Sequence, residues 1–314
     1  MKSTSHSLWE KAINCGFRGG SWLATVAVML LMIAIVWTLG DDASPAIQKY
    51  GLGFLLDREW DPVAGREHYG ILPMLYGTLA SSAIALLLAI PLGIVTAIFL
   101  SEGFLPLPLE SFLVFLVELL AAIPSVVYGF WAIFVLVPSL EPLSLWLNQQ
   151  LGWIPLFATP PAGPGLLPAG IVLAIMILPI ITAIARSTLK ALPSNLRDAA
   201  MALGLTRWET IGGILLPSAV SGIIGAIILA LGRAMGETMA VTMVIGNANQ
   251  LSMSILAPAN TIASLLANQF AEAQGMQVSA LMYAGLVLLM ATLGVNLLAE
   301  LVIQQMNQKW TNNH

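Results

Sequence analysis

Charge is scarce in this chain. Only 9% of its 314 residues are Asp, Glu, Lys or Arg and 58% are apolar, against about 25% charged in an ordinary soluble domain. So few charges cannot cover the surface of a soluble fold this long, and the apolar residues come in long unbroken runs. Both point to a lipid solvent. Cysteine is nearly absent, and the single Cys15 excludes an intrachain disulfide and a thiolate metal cluster. The three histidines, His6, His68 and His314, stand far apart, with none of the spacings a metal site uses. No Gly-x4-Gly-Lys-Ser/Thr loop occurs, so the chain carries no phosphate cradle for a nucleotide. A net charge of −4 gives no footing for nucleic acid.

What is present is a set of apolar runs. A bilayer core needs about 20 helical residues to cross it, and six stretches qualify. They are Ser21 to Leu39, Leu72 to Leu100, Phe112 to Val137 (interrupted by Glu118), Leu167 to Ala185, Ala219 to Ile245 and Ala280 to Val302. The first is too long for a cleavable signal and lacks a small-residue cleavage site, so it reads as a retained anchor. Ile255 to Phe270 is apolar but short, and reads as a partial or re-entrant helix on the outer face. The expected fold is therefore all-α, with six transmembrane helices.

Basic residues orient the chain. With the N-terminus inside, Lys2, Lys11, Arg18, Arg186, Lys190, Arg197, Arg207 and Lys309 are cytoplasmic, and only Lys49, Arg58 and Arg66 fall outside. The positive-inside rule then places both termini in the cytoplasm. Pro91, Pro124 and Pro179 fall inside spans, as ordinary kinks of a packed bundle or as bends that open a pathway.

The cytoplasmic segment Arg186 to Pro217 reads as two short capped helices. Ser194 offers an N-cap, Gly204 a C-terminal stop, and Thr206 with Glu209 a capping box. Within it, Asp198-Ala199-Ala200, three residues, Gly204, nine residues and Ile214-Leu215-Leu216-Pro217 resemble the EAA loop of binding-protein-dependent ABC importer permeases. Every spacing matches, and the one departure, Asp198 where Glu is usual, keeps the charge. Small side chains at Ala199 and Ala200 suit a helix seated closely in a groove, and Gly204 suits the turn that makes it project.

Two ionisable residues, Arg233 and Glu237, stand inside the fifth run, and the i+4 spacing predicts one helical face. Ionisable groups in hydrocarbon mark a pathway or an internal ion pair. The surrounding run, Gly232 to Asn247, resembles the fifth helix of phosphate-specific permeases, PstC-type more than PstA-type. Glu118 to Gly129 and Tyr69 to Thr78 agree with that family, which is CysTW-like.

The resemblance implies a type I (MetI-like) permease core at 71–304, with the coupling loop at about 193–217. Residues 1–70 would hold the N-terminal segment, first span and outer loop, and 305–314 a cytoplasmic tail. It implies a transporter subunit in the bacterial inner membrane, in contact with lipid, that performs no catalysis. Its expected partners are a PstA-type permease, two ATPases that bind ATP and Mg, an external phosphate-binding protein and phosphate itself. Arg233, Glu237, Thr238 and Glu118 are the expected pathway residues; Asp198, Ala199, Ala200, Gly204 and Pro217 are the expected coupling residues. A molybdate or sulfate importer of the same build is the nearest rival. A secondary transporter would need an inverted repeat, and an intramembrane enzyme would need a nucleophile–base pair; neither is visible.

Overall fold

The computed structural model describes residues 8–63 and 65–312; Lys2, His6 and His314 lie outside them. The chain runs α1 (Leu8–Tyr50), α2 (Gly53–Leu56), a two-residue hairpin of β1 (Trp60–Asp61) and β2 (His68–Tyr69), α3 (Leu72–Ser101), α4 (Leu107–Ala122), α5 (Ser125–Trp131) and α6 (Val137–Leu151). Then follow α7 (Leu166–Ala191), α8 (Ser194–Ala202), α9 (Arg207–Thr210), α10 (Leu216–Gly236), α11 (Met239–Val244), α12 (Ile262–Gln269) and α13 (Met276–Asn312). A π-helical turn joins α5 to α6 and another joins α9 to α10. Among the described residues, six helices are long and apolar enough to cross a membrane: Gly16–Tyr50, Leu72–Ser101, Ser125–Leu151, Leu166–Ala191, Arg207–Gly236 and Met276–Leu301.

The first helix runs on past the expected end at Leu39 to Tyr50, and two further spans differ from the sequence expectation, each for a local backbone reason. The third is Ser125–Leu151 rather than Phe112 to Val137, because Pro124 ends a helix instead of bending one. A proline disfavours the α region for the residue before it, and Ile123 is accordingly extended (ψ 127°), closing α4. Pro91 and Pro179 do sit inside continuous helices. The fifth span is expected to run on to Ile245, but α10 stops at Gly236 and the chain turns at Glu237 before α11. Its other end extends backwards through Pro217 to Arg207, so α9 and the fifth span are one rod.

The bundle is organised around α7, whose most apolar stretch is 61% buried, the highest share of the six. Helices in lipid gain nothing from excluding water, so close approach of small residues holds them together. Ala85, Ala89 and Ala97 on α3 and Ala169, Ala174 and Ala185 on α7 are buried, with Val172, Ile177 and Ile181 between them. By contrast, the most apolar stretch of α1 has no buried residue, so that helix presents its sides to lipid and packs chiefly along α13.

A second core caps one end. Ala43 and Ala46 of α1 meet Phe54, Trp60, Tyr69, Ile262 and Tyr283 there. Trp60 Nε1 donates to Gln269 Oε1 at 2.8 Å, the Tyr283 hydroxyl donates to the Gly51 carbonyl at 3.1 Å, and Phe54 stacks on Tyr283 with centroids 4.4 Å apart.

Candidate functional site

Three glycines lie along one side of α10, with Ile228, Leu229 and Arg233 between them. Gly225, Gly232 and Gly236 recur at near-helical intervals, and with α7 and α13 they leave a cleft of about 890 Å³. Arg233, Glu237, Asn296 and Glu300 supply its polar lining, and Ile180, Ile228 and Leu229 its apolar walls.

Arg233 stands in the last turn of α10, where a cation meets the negative end of the helix dipole. It is exposed and, among the described residues, makes no hydrogen bond or ion pair. Glu237, expected on the same helical face, instead lies just past the helix end with an extended backbone (φ −68°, ψ 126°). Its Oε1 accepts from the Ala240 amide at 3.3 Å, which caps the start of α11. The two residues therefore share the cleft without pairing, and Arg233 keeps its full set of donors.

Thr238 donates its hydroxyl to the Gly236 carbonyl at 3.2 Å, helping to form the turn; it is not among the lining residues. Glu118 is exposed on α4, also away from the cleft lining. Asn296 and Glu300 are cleft residues that the sequence reading missed. Their signal was available, since an amide and a carboxylate one turn apart interrupt the apolar sixth run.

The second functional feature is the helix α8 and its surroundings. The Ser194 side chain makes no cap bond, contrary to expectation, because Pro193 occupies the N-cap position. The other end behaves as expected. Gly204 adopts φ +83°, its amide bonds to Met201 O at 3.0 Å, and the Leu205 amide bonds to Ala200 O at 3.2 Å. Those two bonds form a Schellman motif, which requires the left-handed residue. Thr206 and Glu209 then form the reciprocal capping box. Asp198 and Ala199 face outward and Ala200 is buried, while Leu203 (82% exposed) and Trp208 (67% exposed) project from the tip. The Trp208 ring also stacks on Phe104, with centroids 5.3 Å apart.

Polar joints hold the protrusion. Arg197 donates from Nε and Nη2 to both oxygens of Glu102, at 2.9 and 2.7 Å. Arg207 donates to the Glu102 and Gly103 carbonyls at 2.6 and 3.1 Å, and its guanidinium lies 4.4 Å from the Phe104 ring centroid. Close by, Arg186 and Lys190 both reach the buried carboxylate of Glu110. Those two cations hold the Glu110 carboxyl below the usual carboxylate range, against the opposing effect of burial.

Residues 89–312 match the family model described as "Binding-protein-dependent transport system inner membrane component". The chain belongs to that family. This inner membrane component also aligns along most of its length with curated permeases. It is 42% identical over 299 residues to the phosphate transport system permease protein PstC of Mesorhizobium japonicum, covering 93% of this chain and 90% of that one. It is 41% identical to the PstC of Haemophilus influenzae, covering 93% of each. Among solved structures it shares the fold of a bacterial alginate ABC transporter chain, with a TM-score of 0.60 at 17% identity, over 94% of this chain and 96% of that one. The inner membrane component is thus a multi-pass transport permease rather than an enzyme.

Proposed function

We propose that this permease moves inorganic phosphate across the inner membrane as one of two permease chains in an ATP-driven importer. The observation that carries the proposal is Arg233, an arginine with no partner among the described residues, facing a cleft in a chain 42% identical to PstC along most of its length. A guanidinium presents a planar fork of donors that fits an oxyanion. Gly232 and Gly236, on either side of Arg233, leave room for the anion beside it. Glu237 lines the same cleft and supplies selectivity. Phosphate near neutral pH still carries a proton that a carboxylate accepts, whereas sulfate carries none and is repelled.

The cleft is open along α10 and α13, and a homologous PstA-type permease closes it into a route. Thr238 shapes the turn that positions Glu237, and Glu118, exposed on α4, borders the inner end. Both termini lie in the cytoplasm by the balance of basic residues.

On the cytoplasmic side, Asp198, Ala199 and Ala200 seat α8 in a groove of one of two ATPases, which hold ATP and Mg. Gly204 sets the projection, and Pro217 lies on the rod that continues into α10. Closure of the ATPases around ATP shifts α8 and opens the bundle outward to receive phosphate from an external binding protein.

Uptake of labelled phosphate by vesicles holding the complete importer tests this reading, with sulfate and molybdate as competitors. Uptake that needs ATP and resists both anions supports it. Competition by either anion reassigns the permease to that substrate, and uptake without ATP removes the coupling role of α8.

A further inference from the structure

The nine-residue α8 has little apolar grip on the rest of the chain. Ala200 is its one buried residue, and its main-chain neighbours are α9 and the π-helical turn that follows. Burial of a single methyl contributes roughly 1 kcal/mol, too little to hold a lever under load. What fastens α8 is Arg197. Besides both Glu102 oxygens, it donates to the Leu189 carbonyl at 2.9 Å and the Leu192 carbonyl at 3.2 Å, at the end of α7. Glu102 itself is the residue that closes α3, and its side chain is only 6% exposed. The Glu102 carbonyl also takes the Arg207 bond, which ties down the start of the rod that becomes α10. The ends of α3 and α7, the helix α8 and the foot of α10 therefore meet at the Glu102–Arg197 pair, the first three through its side chains and the last through the Glu102 main-chain carbonyl.

The space under α8 supports a movable joint. A cavity of about 140 Å³ lies there, lined by Glu102, Arg197, Met201, Arg207, Ile211 and Leu215, so α8 is not packed flat against the bundle. An apolar contact resists compression but separates under tension. A bidentate carboxylate–guanidinium pair resists both, because pulling one buried charge from the other leaves each unpaired. The structure on the far side of the joint is stiff. α3 packs along α7 for most of its length, and Ala97, Ala185 and Leu189, all fully buried, lie just above Glu102.

We propose that Glu102 is a positioning residue for energy coupling, the joint through which movement of α8 both pushes and pulls the α3–α7 pair. The inference rests on the reading that α8 docks on an ATPase. Glu110, held by Arg186 and Lys190, braces the same ends of α4 and α7 but does not touch α8, so it holds the frame and stands outside the joint.

The test uses the complete importer reconstituted in vesicles, with Cys15→Ser and Asn195→Cys, at an exposed position in the first turn of α8, introduced for crosslinking to a cysteine in the ATPase groove. Phosphate moved per ATP hydrolysed is measured in this background and with Glu102→Gln, Glu102→Asp or Arg197→Gln added. The crosslink is expected to persist in all of them. Phosphate per ATP is expected to fall at least about fivefold in Glu102→Gln and Arg197→Gln, the lower end of ordinary coupling between sites, and to recover in Glu102→Asp. A role in stability alone would lower the amount of complex without changing that ratio. An intact crosslink with an unchanged ratio overturns the joint and leaves α8 docking in place. Failure of both Glu102→Gln and Arg197→Gln to assemble makes the pair a structural clasp and likewise overturns the joint. Absence of the crosslink in the background variant overturns the docking reading, and the joint with it.

Discussion

Arg233 and Glu237 are four residues apart on the chain yet do not form an ion pair, because α10 ends at Gly236 between them. The carboxylate turns to the Ala240 amide while the guanidinium remains in the cleft. The helix break thus leaves the cation unpaired in the cleft and turns the carboxylate to the start of α11.

Glu237→Gln removes the acceptor and keeps the shape. Discrimination against sulfate is expected to fall by about tenfold or more, since a hydrogen bond to a charged group contributes about 1.5–3 kcal/mol. Competition of sulfate with phosphate uptake measures it. A preference equal to that of the unaltered permease would remove Glu237 from selectivity.

A second expectation concerns the contact of α3 with the segment before α12. A Cβ built on Gly77 would lie 2.0 Å from the main-chain oxygen of Asn260. Alanine in a helix is ordinarily more stable than glycine by about 1 kcal/mol. Here the Cβ is fixed by its own backbone and meets the backbone of Asn260, so no side-chain rotation relieves the clash, and overpacking costs about 1–3 kcal/mol or more. Gly77→Ala should therefore lower the thermal unfolding midpoint of the purified complex. A raised midpoint would show that the segment before α12 yields easily.

The β1–β2 hairpin carries an acid-sensitive clasp. Asp57 pairs with His68 and accepts the amides of Arg58 and Glu59 at 2.7 and 3.2 Å. The His68 bond, followed by those amides, outweighs desolvation and holds the Asp57 carboxyl below its ordinary value of 3.8. A depressed carboxyl stabilises the fold above its unfolded pKa and loses that contribution as pH falls through the folded value. Trp60 lies next to the clasp in the buried cluster, and as the sole tryptophan of a variant with the others changed to Phe it reports on the clasp by fluorescence. Its unfolding midpoint should drop as pH falls below about 4, and Asp57→Asn should lack that part of the drop. Identical acid profiles for the two would contradict the clasp.

Sequence reading reached the architecture because apolar run length and small-residue punctuation depend on neighbours close along the chain. The capping box at Thr206 and the left-handed Gly204 are of that kind, and both are present. It failed at Ile123–Pro124 and at Gly236–Glu237, where a run stays apolar while the backbone breaks. Hydropathy does not register such a break, although the proline signalled the first. Glu102 was missed because its partners, Arg197 and Arg207, lie 95 and 105 residues away. Asn296 and Glu300 reach the cleft only because α13 packs beside α10.

The most direct measurement is ATP-dependent phosphate uptake by the complete importer carrying Arg233→Gln, with ATP hydrolysis followed in the same vesicles. The account predicts uptake reduced at least about tenfold, from the loss of charge-assisted bonds to the anion, with hydrolysis still supported by the assembled complex. Arg233→Lys should fall between, because it keeps the charge and loses the planar fork. Uptake at the unaltered rate in Arg233→Gln would contradict the placement of the anion route along α10.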